Sequence, residues 1–418
     1  MKLIPGTPLS YRRGELFLEE CSLREIASEV DTPVFVYSRR HLEERFREYD
    51  RALEGLDHLV CYGMKALGNV SIVRLLGQLG AGVDLVSGGE LYRAQRAGIP
   101  AERMVFSGVG KTEREIREAI RCSILMLNVE SQMELQAISR IAVEENRKAG
   151  VSIRINPDID AHTHPYISTG LEENKFGIPF EEGLEMYQEA DELPGIEIRG
   201  LQCHIGSQIT DIKVFGEAVD RLIEVDETLK QHGIEVSHFD IGGGLGISYD
   251  DRSVPGPQEM IAMLRPRFEA LGKTILVEPG RSIVGNCGVL LTRVVYYKEN
   301  RQKRFAIVDG GMTELLRPAL YGAHHEIVPV VDDQREAIQV DVAGPVCESS
   351  DVLAKDCALP RPRPGDLYAV LSTGAYGFSM AGNYNSRLRP PEVLIEGDSH
   401  RLIRRRESYQ DLVDLEVL

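Results

Sequence analysis

Short apolar runs recur along the middle of the chain, at 58–64, 82–86, 104–107, 124–128, 151–156, 197–204, 236–241 and 274–278. Each has the length of a strand, and the segments between them, such as Val70 to Leu79 and Ser131 to Glu145, repeat apolar residues at helical spacing. Eight strands interleaved with helices over about 220 residues predict an α/β chain folded as a parallel (β/α)8 barrel, with an open doubly wound sheet as the alternative. A further run, Val34 to Ser38, and the helical pattern Arg39 to Leu53 precede the first barrel strand and are read as its lead-in. After Arg281 the texture changes. Runs rich in β-branched residues, Val289 to Tyr297, Arg304 to Val308, Ile327 to Val331, Ala337 to Val342 and Leu367 to Leu371, are punctuated by Gly and Pro and predict a mainly β (sandwich- or barrel-like) second domain. The expected division is a barrel over 34–282 and a β domain over 1–33 plus 283–418. No internal repeat or low-complexity linker is present, and 361–366 reads as a tight turn.

Composition narrows the classes. A chain of 418 residues is long enough for two cores, and no apolar run approaches the roughly 18 residues that span a bilayer. The first residues lack a sustained apolar stretch of the kind a secretory signal carries. Seven cysteines, an odd number without a Cys-x-x-Cys pair, argue against a disulfide framework and predict the cytoplasm. A net charge of −17 opposes nucleic acid and anionic membrane surfaces, but local arginines still permit an anionic small substrate.

Chemistry gathers where the strands end. In a barrel of this type the site lies at the C-terminal ends of the strands, and phosphate is commonly held after strands seven and eight. Lys65 ends the first run, His204 the sixth, the turn Gly242-Gly243-Gly244-Leu245-Gly246 follows the seventh, and Glu278-Pro279-Gly280-Arg281 the eighth. A ring-stacking imidazole, amides facing a phosphate, a carboxylate beside an arginine, and an amine to bond an aldehyde carbon are what pyridoxal phosphate needs. Each residue also has a plain structural reading. A strand-end lysine is commonly solvated, although the apolar run before Lys65 would bury its stem and lower its amine pKa. His204 could be a core histidine, although Gly206 and Ser207 beside it permit close approach and offer a hydroxyl. The glycine turn fails the dinucleotide pattern because Ile247 stands at its third glycine. Gly110-Lys111-Thr112 fails as a phosphate loop because Val105 occupies the first glycine position. His162, His164 and the pair His324-His325 lack a carboxylate at metalloenzyme spacing and read as polar loop residues; no metal site is expected.

Several motifs in order carry a resemblance over about Thr32 to Val393: Tyr62-Gly63-Met64-Lys65, the segment from Asp84 through Ser87-Gly88-Gly89-Glu90, Phe106 to Thr112, His204-Ile205-Gly206-Ser207-Gln208, and Glu278 to Arg281. Asp309 to Met312, Arg317-Pro318-Ala319-Leu320-Tyr321, Gly344 to Asp351 and Gly374-Ala375-Tyr376-Gly377 continue it. Through these the chain resembles the decarboxylases of the barrel-type, fold III group of pyridoxal-phosphate enzymes, which also holds ornithine decarboxylase and alanine racemase. His164 to Gly170 with Asn174 to Gly177 is more typical of its diaminopimelate branch.

The resemblance implies roles. Lys65 would hold the cofactor covalently, His204 would stack on its ring, and Ser207, Gly243, Gly244 and Gly280 would bind its phosphate. Glu278 would face the pyridine nitrogen, where racemases of the group carry an arginine. Arg281, Arg317 and Tyr321 would fix substrate carboxylate, Glu348 the distal ammonium, and Tyr376 both cofactor and substrate. Cys347 would donate a proton after CO2 leaves, in the site of a second copy, which implies a homodimer with shared sites. The implied reaction is decarboxylation of meso-2,6-diaminopimelate at its D-centre to L-lysine, the last step of lysine biosynthesis. Alternatives are the same chemistry on ornithine, lysine, a carboxy-polyamine or a carrier-tethered glutamyl group, or a regulator without catalysis. Gly63, Met64 and Leu67 near the lysine, and Leu388, depart from the usual pattern.

Overall fold

A computed structural model describes residues 3–159 and 175–417. His162, His164 and the segment 164–170 lie outside the described residues, as does Asn174. The chain divides into two compact units, Phe46–Gly246 with Val254–Ser282, and Met1–Arg45 with Ile247–Ser253 and Ile283–Leu418.

The first unit is a closed barrel of eight parallel strands: His58–Gly63, Gly82–Leu85, Met104–Phe106, Met126–Val129, Ala149–Arg154, Ile196–Gln202, His238–Asp240 and Thr274–Val277. They follow the eight apolar runs one for one. Sequential strands pair around the ring, and the eighth closes onto the first with Ile275 opposite His58 and Val277 opposite Val60. Most strand positions are buried, all of them in Gly82–Leu85, Met126–Val129 and Ala149–Arg154, because the strands are packed on both faces, which is why they appear in the sequence as continuous apolar runs rather than as alternation. Cys61, Val105, Met126 and Leu276 form one apolar cluster among these strands.

The intervening helices have clear starts. Ser87, Thr112 and Ser131 each accept a backbone N–H three residues on, and Thr112 with Glu115 completes a capping box. Beneath the seventh and eighth strands, Asp226 on helix Lys213–Gln231 is wholly buried and accepts from Lys273 Nζ at 2.5 Å, and Lys230 lies at 2.8 Å. Lys273 also donates to the Val236 carbonyl at 2.6 Å.

The second unit is mainly β. A nine-stranded sheet is built around the long strand Gly288–Glu299, which pairs with Val34–Ser38, Arg304–Val308 and Leu367–Val370. Val34, Val36, Val289, Leu291, Ala369, Leu371, Val393 and Ile395, alternate residues of neighbouring strands, enter one apolar cluster with Leu16, Leu18, Leu23 and Ile26 from the N-terminal segment.

This corrects the expected boundary at residue 34. Val34–Ser38 is not a lead-in belonging to the barrel but a sheet strand of the second unit, parallel to Glu392–Glu396 and antiparallel to Gly288–Glu299. A closed barrel has no free edge for a ninth strand, whereas the sheet can bury all five of its residues. Ile247–Ser253, inside the expected barrel range, also belongs to the second unit. Val352–Pro360, Glu392–Glu396 and Ser399–Arg404 are strands that the apolar pattern did not predict; Lys355, Asp356, Arg401 and Arg404 interrupt it. The turn at 361–366 is closed by Asp366, which accepts from Arg363 N–H at 2.8 Å and donates its own N–H back to the Arg363 carbonyl at 3.1 Å.

Removing Asp226 strands a buried ammonium. Asp226→Ala is expected to lower the unfolding free energy by about 3 kcal/mol in denaturant titration, and adding Lys273→Met should restore part of the loss.

Candidate active site

Barrel closure brings the strand ends together. Gly63 N–H donates to the Pro279 carbonyl at 3.1 Å, so the turn Met64–Ala66 that carries Lys65 sits beside the Glu278-Pro279-Gly280 corner. Gly280 leaves the room: a Cβ on it would stand 3.1 Å from both the Gly63 carbonyl oxygen and the Ala66 Cβ. At Gly63 a Cβ would meet nothing nearer than 3.6 Å, so an alanine fits there and this departure leaves the corner unchanged. Met64 and Leu67 are buried, as apolar packing behind the lysine.

Lys65 Nζ lies 3.3 Å from Asp84 Oδ2, at the end of the second strand. Asp84 is fully buried. At the ends of the seventh and eighth strands lie Asp240 and Glu278, also buried. Glu278 accepts from Asn128 Nδ2 and Gln202 Nε2, both at 3.4 Å, and Asp240 Oδ1 accepts from Gly242 N–H at 2.8 Å. Burial first, then the neighbouring charges of Asp240 and Asp84, push the Glu278 carboxyl well up. Burial likewise raises the Asp240 carboxyl, which Glu278 feels as a neighbouring charge. Their hydrogen-bond partners are amides rather than cations, and among the described residues three buried oxygens here, Asp84 Oδ1, Asp240 Oδ2 and Gln202 Oε1, have no hydrogen-bond partner. Such a group suits a cationic N–H donor brought by a ligand.

His204 Nδ1 accepts from Gly243 N–H at 3.1 Å, which fixes the ring against the glycine turn. Burial, then the charges of Lys65 and Arg154, hold its pKa well below the usual value, so the ring is neutral and its face is apolar. Gly242 and Gly244 have φ of +67° and +112°, and a Cβ on Gly243 would stand 2.1 Å from the Glu278 carbonyl oxygen. Only glycines let this turn pack against the eighth strand. Ser207 Oγ accepts from Arg281 Nη2 at 2.9 Å. Thus Lys65, His204, Ser207, Gly243, Gly244, Glu278, Gly280 and Arg281 all stand at the C-terminal ends of barrel strands. Arg154 pairs with Glu130 at 3.0 Å at the end of the fifth strand, and the Lys111 ammonium is consumed by the Gly108 and Asn128 carbonyls and Glu134. Lys111 is therefore a structural strut.

The other five candidates lie in the second unit. Arg317 and Tyr321 bound a short helix, Arg317–Tyr321. Cys347 and Glu348 are exposed on the loop Gly344 to Asp351; Cys347 N–H donates to Asn385 Oδ1 at 3.1 Å and Glu348 Oε2 accepts from Tyr384 at 3.4 Å. Asp351 ties that loop, accepting from Met312 N–H at 2.6 Å and Val346 N–H at 2.7 Å. Tyr376 has a left-handed backbone, φ 57°.

Sequence reasoning did not single out the chemistry of Asp84, Glu90, Asn128, Gln202 and Asp240, nor that of Tyr249 and His325. The usable signal for four of them was a polar residue inside an apolar run, as in Gly82-Val83-Asp84-Leu85 and His238-Phe239-Asp240.

The model of the "Pyridoxal-dependent decarboxylase, pyridoxal binding domain" family matches residues 39–285. The chain is 48% identical to diaminopimelate decarboxylase of Aquifex aeolicus over 97% of this chain and 96% of that one. A crystal structure of the Helicobacter pylori diaminopimelate decarboxylase complexed with L-lysine superposes with TM-score 0.91 at 46% identity, covering 94% of this chain and 98% of that one. An M. jannaschii structure of the same name, also with L-lysine, gives TM-score 0.95 at 36% identity over 100% and 99%.

Glu90 gives a pH test. Its carboxyl accepts from Val86 N–H at 2.8 Å, and burial raises its pKa from 4.5 to about 7. A carboxyl raised on folding supports the fold below its unfolded pKa and loses that support as pH rises through the folded value. Glu90→Gln, which keeps the acceptor, should therefore gain stability over the parent between pH 4.5 and 7, by about 2 kcal/mol at pH 8, read from thermal unfolding against pH.

Proposed function

The chain belongs to the pyridoxal-dependent decarboxylases, in the diaminopimelate decarboxylase family, and from that membership we propose how its residues divide the work. The enzyme removes CO2 from meso-2,6-diaminopimelate to leave L-lysine, the last step of lysine biosynthesis, with pyridoxal phosphate as cofactor. When bound, that cofactor supplies an electron sink for the pair left behind by the departing carboxylate. Every other contribution comes from the chain.

Lys65 would anchor the cofactor through its amine, with Asp84 keeping the ammonium in place until then. Glu278, supported by Asp240, Asn128 and Gln202, would face the pyridine nitrogen. The buried carboxyl pair that has only amide partners carries this assignment, because an N–H cation placed there would relieve two raised carboxyls at once. A carboxylate at that nitrogen suits loss of CO2, since it favours the protonated ring that accepts electrons best. The neutral face of His204 would pack on the ring, Ser207, Gly243, Gly244 and Gly280 would meet the phosphate, and Tyr376 would touch both cofactor and substrate. Arg281, Arg317 and Tyr321 would hold substrate carboxylate and Glu348 the distal ammonium, setting orientation and register. Cys347 would place a proton on the carbon that lost CO2.

We further propose that the enzyme works as a homodimer in which the Cys347-Glu348 loop serves a second copy. Its compartment would be the cytoplasm, in keeping with seven unpaired thiols; among the described residues no helix is long and apolar enough to cross a membrane.

Two measurements test this reading. CO2 release compared across meso-diaminopimelate, ornithine, lysine and carboxynorspermidine should favour the first by at least about 10²-fold; equal or better turnover of another would reassign the substrate. Cys347→Ala should keep the cofactor absorbance and lose about 10²-fold or more in kcat, and an unchanged kcat removes the thiol from the reaction.

A further inference from the structure

His325, read from the sequence as a polar loop residue, is instead 1% exposed, and both its ring nitrogens meet partners. Nδ1 lies 2.9 Å from the Leu371 carbonyl oxygen. A carbonyl can only accept, so Nδ1 carries the proton. Nε2 lies 2.8 Å from Arg317 Nη1. A guanidinium can only donate, so Nε2 presents its lone pair. These two neighbours leave one state: a neutral imidazole with hydrogen on Nδ1. The Leu371 carbonyl is itself fixed, because the same residue donates its N–H to Glu326 O at 2.8 Å.

Tyr249 completes the arrangement. Its ring stands edge-on to His325 at 5.3 Å and 82°, and the Arg317 guanidinium carbon lies 4.9 Å from its centroid. Arg317 is thus held by a cation–π contact and by an in-line acceptor while remaining buried. The side chain begins a helix of only five residues, whose backbone gives it little rigidity of its own. Loss of His325 would remove the acceptor that Arg317 Nη1 meets and with it part of the aim of the fork before substrate arrives.

We propose that His325 is a positioning residue for the carboxylate clamp: its neutral Nδ1–H tautomer, set by the Leu371 carbonyl, aims Arg317, and Tyr249 is the platform on which the guanidinium rests. The inference rests on the reading of Arg317 as a carboxylate ligand. In this proposal His325 acts through Arg317 and not on the substrate directly.

The test uses the full-length holoenzyme and four variants. His325→Asn keeps a donor for Leu371 but withdraws the acceptor from Arg317; His325→Gln can still offer an oxygen to it. Arg317→Lys and the double variant Arg317→Lys with His325→Asn complete the cycle. The expected result is a rise of about 10- to 100-fold in KM for meso-diaminopimelate in His325→Asn, with kcat within about threefold of the parent, and recovery of most of the KM in His325→Gln. Cofactor absorbance and melting temperature should match between the two histidine variants, which separates aim from folding. The double variant should be no worse than Arg317→Lys alone, since one residue works through the other. If Arg317→Lys raises KM but His325→Asn does not, or if the two losses simply multiply, the positioning role fails while the clamp stands. If Arg317→Lys leaves KM unchanged, the clamp reading itself is wrong and the proposal falls with it.

Discussion

Pairing of the eighth strand with the first is the contact on which the barrel site depends. It places Lys65 and Glu278, more than two hundred positions apart, on one corner, held by the Gly63 to Pro279 hydrogen bond and by the absence of a side chain on Gly280. In a parallel barrel all strands point the same way, so one closure event delivers every C-terminal end to the same mouth. The amine, the imidazole, the glycine turn and the carboxylate meet for that reason.

The same mouth concentrates cost. Asp84, Asp240 and Glu278 are buried carboxyls; burial raises the proton affinity of Asp240 and Glu278, and the charges of Asp240 and Asp84 push Glu278 further up. Amide side chains of Asn128 and Gln202 offset only part of this. In the proposed arrangement a pyridine ring with a protonated nitrogen would bring the complementary charge that this cluster lacks. His204 fits the same logic from the other side: neutral because buried beside two cations, it offers a flat face rather than a charge.

The second unit solves a different problem, that of holding flexible side chains in fixed places on loops. Asp351 gathers the backbone amides of Met312 and Val346, which keeps the loop bearing Cys347 and Glu348 in one shape. Gly311 and Gly344 make this possible, since a Cβ on either would come within 2.5 Å of the Asp351 carboxylate. Arg317 is fixed in the same spirit by His325 and Tyr249. In both cases one residue uses its hydrogen bonds to hold a neighbour for which a role in the reaction is proposed.

The barrel, its eight strands and the strand-end placement of Lys65, His204, the glycine turn and Glu278 were legible in the chain, because strands buried on both faces write themselves as short apolar runs and the fold fixes which end is functional. The membership of Val34–Ser38 was not, since an apolar run carries no mark of which sheet will pair with it, and closure of the barrel denied it an edge there. Nor could the sequence tell that Lys111 is a strut, that Asp240 stands beside Glu278, or that His325 aims Arg317. Hydrophobic pattern and chemical motif are local properties of the chain and survive in its order of residues. Carboxyl proximity, tautomer and side-chain aim depend on distances of a few ångströms between segments far apart in that order, and only the folded structure sets them.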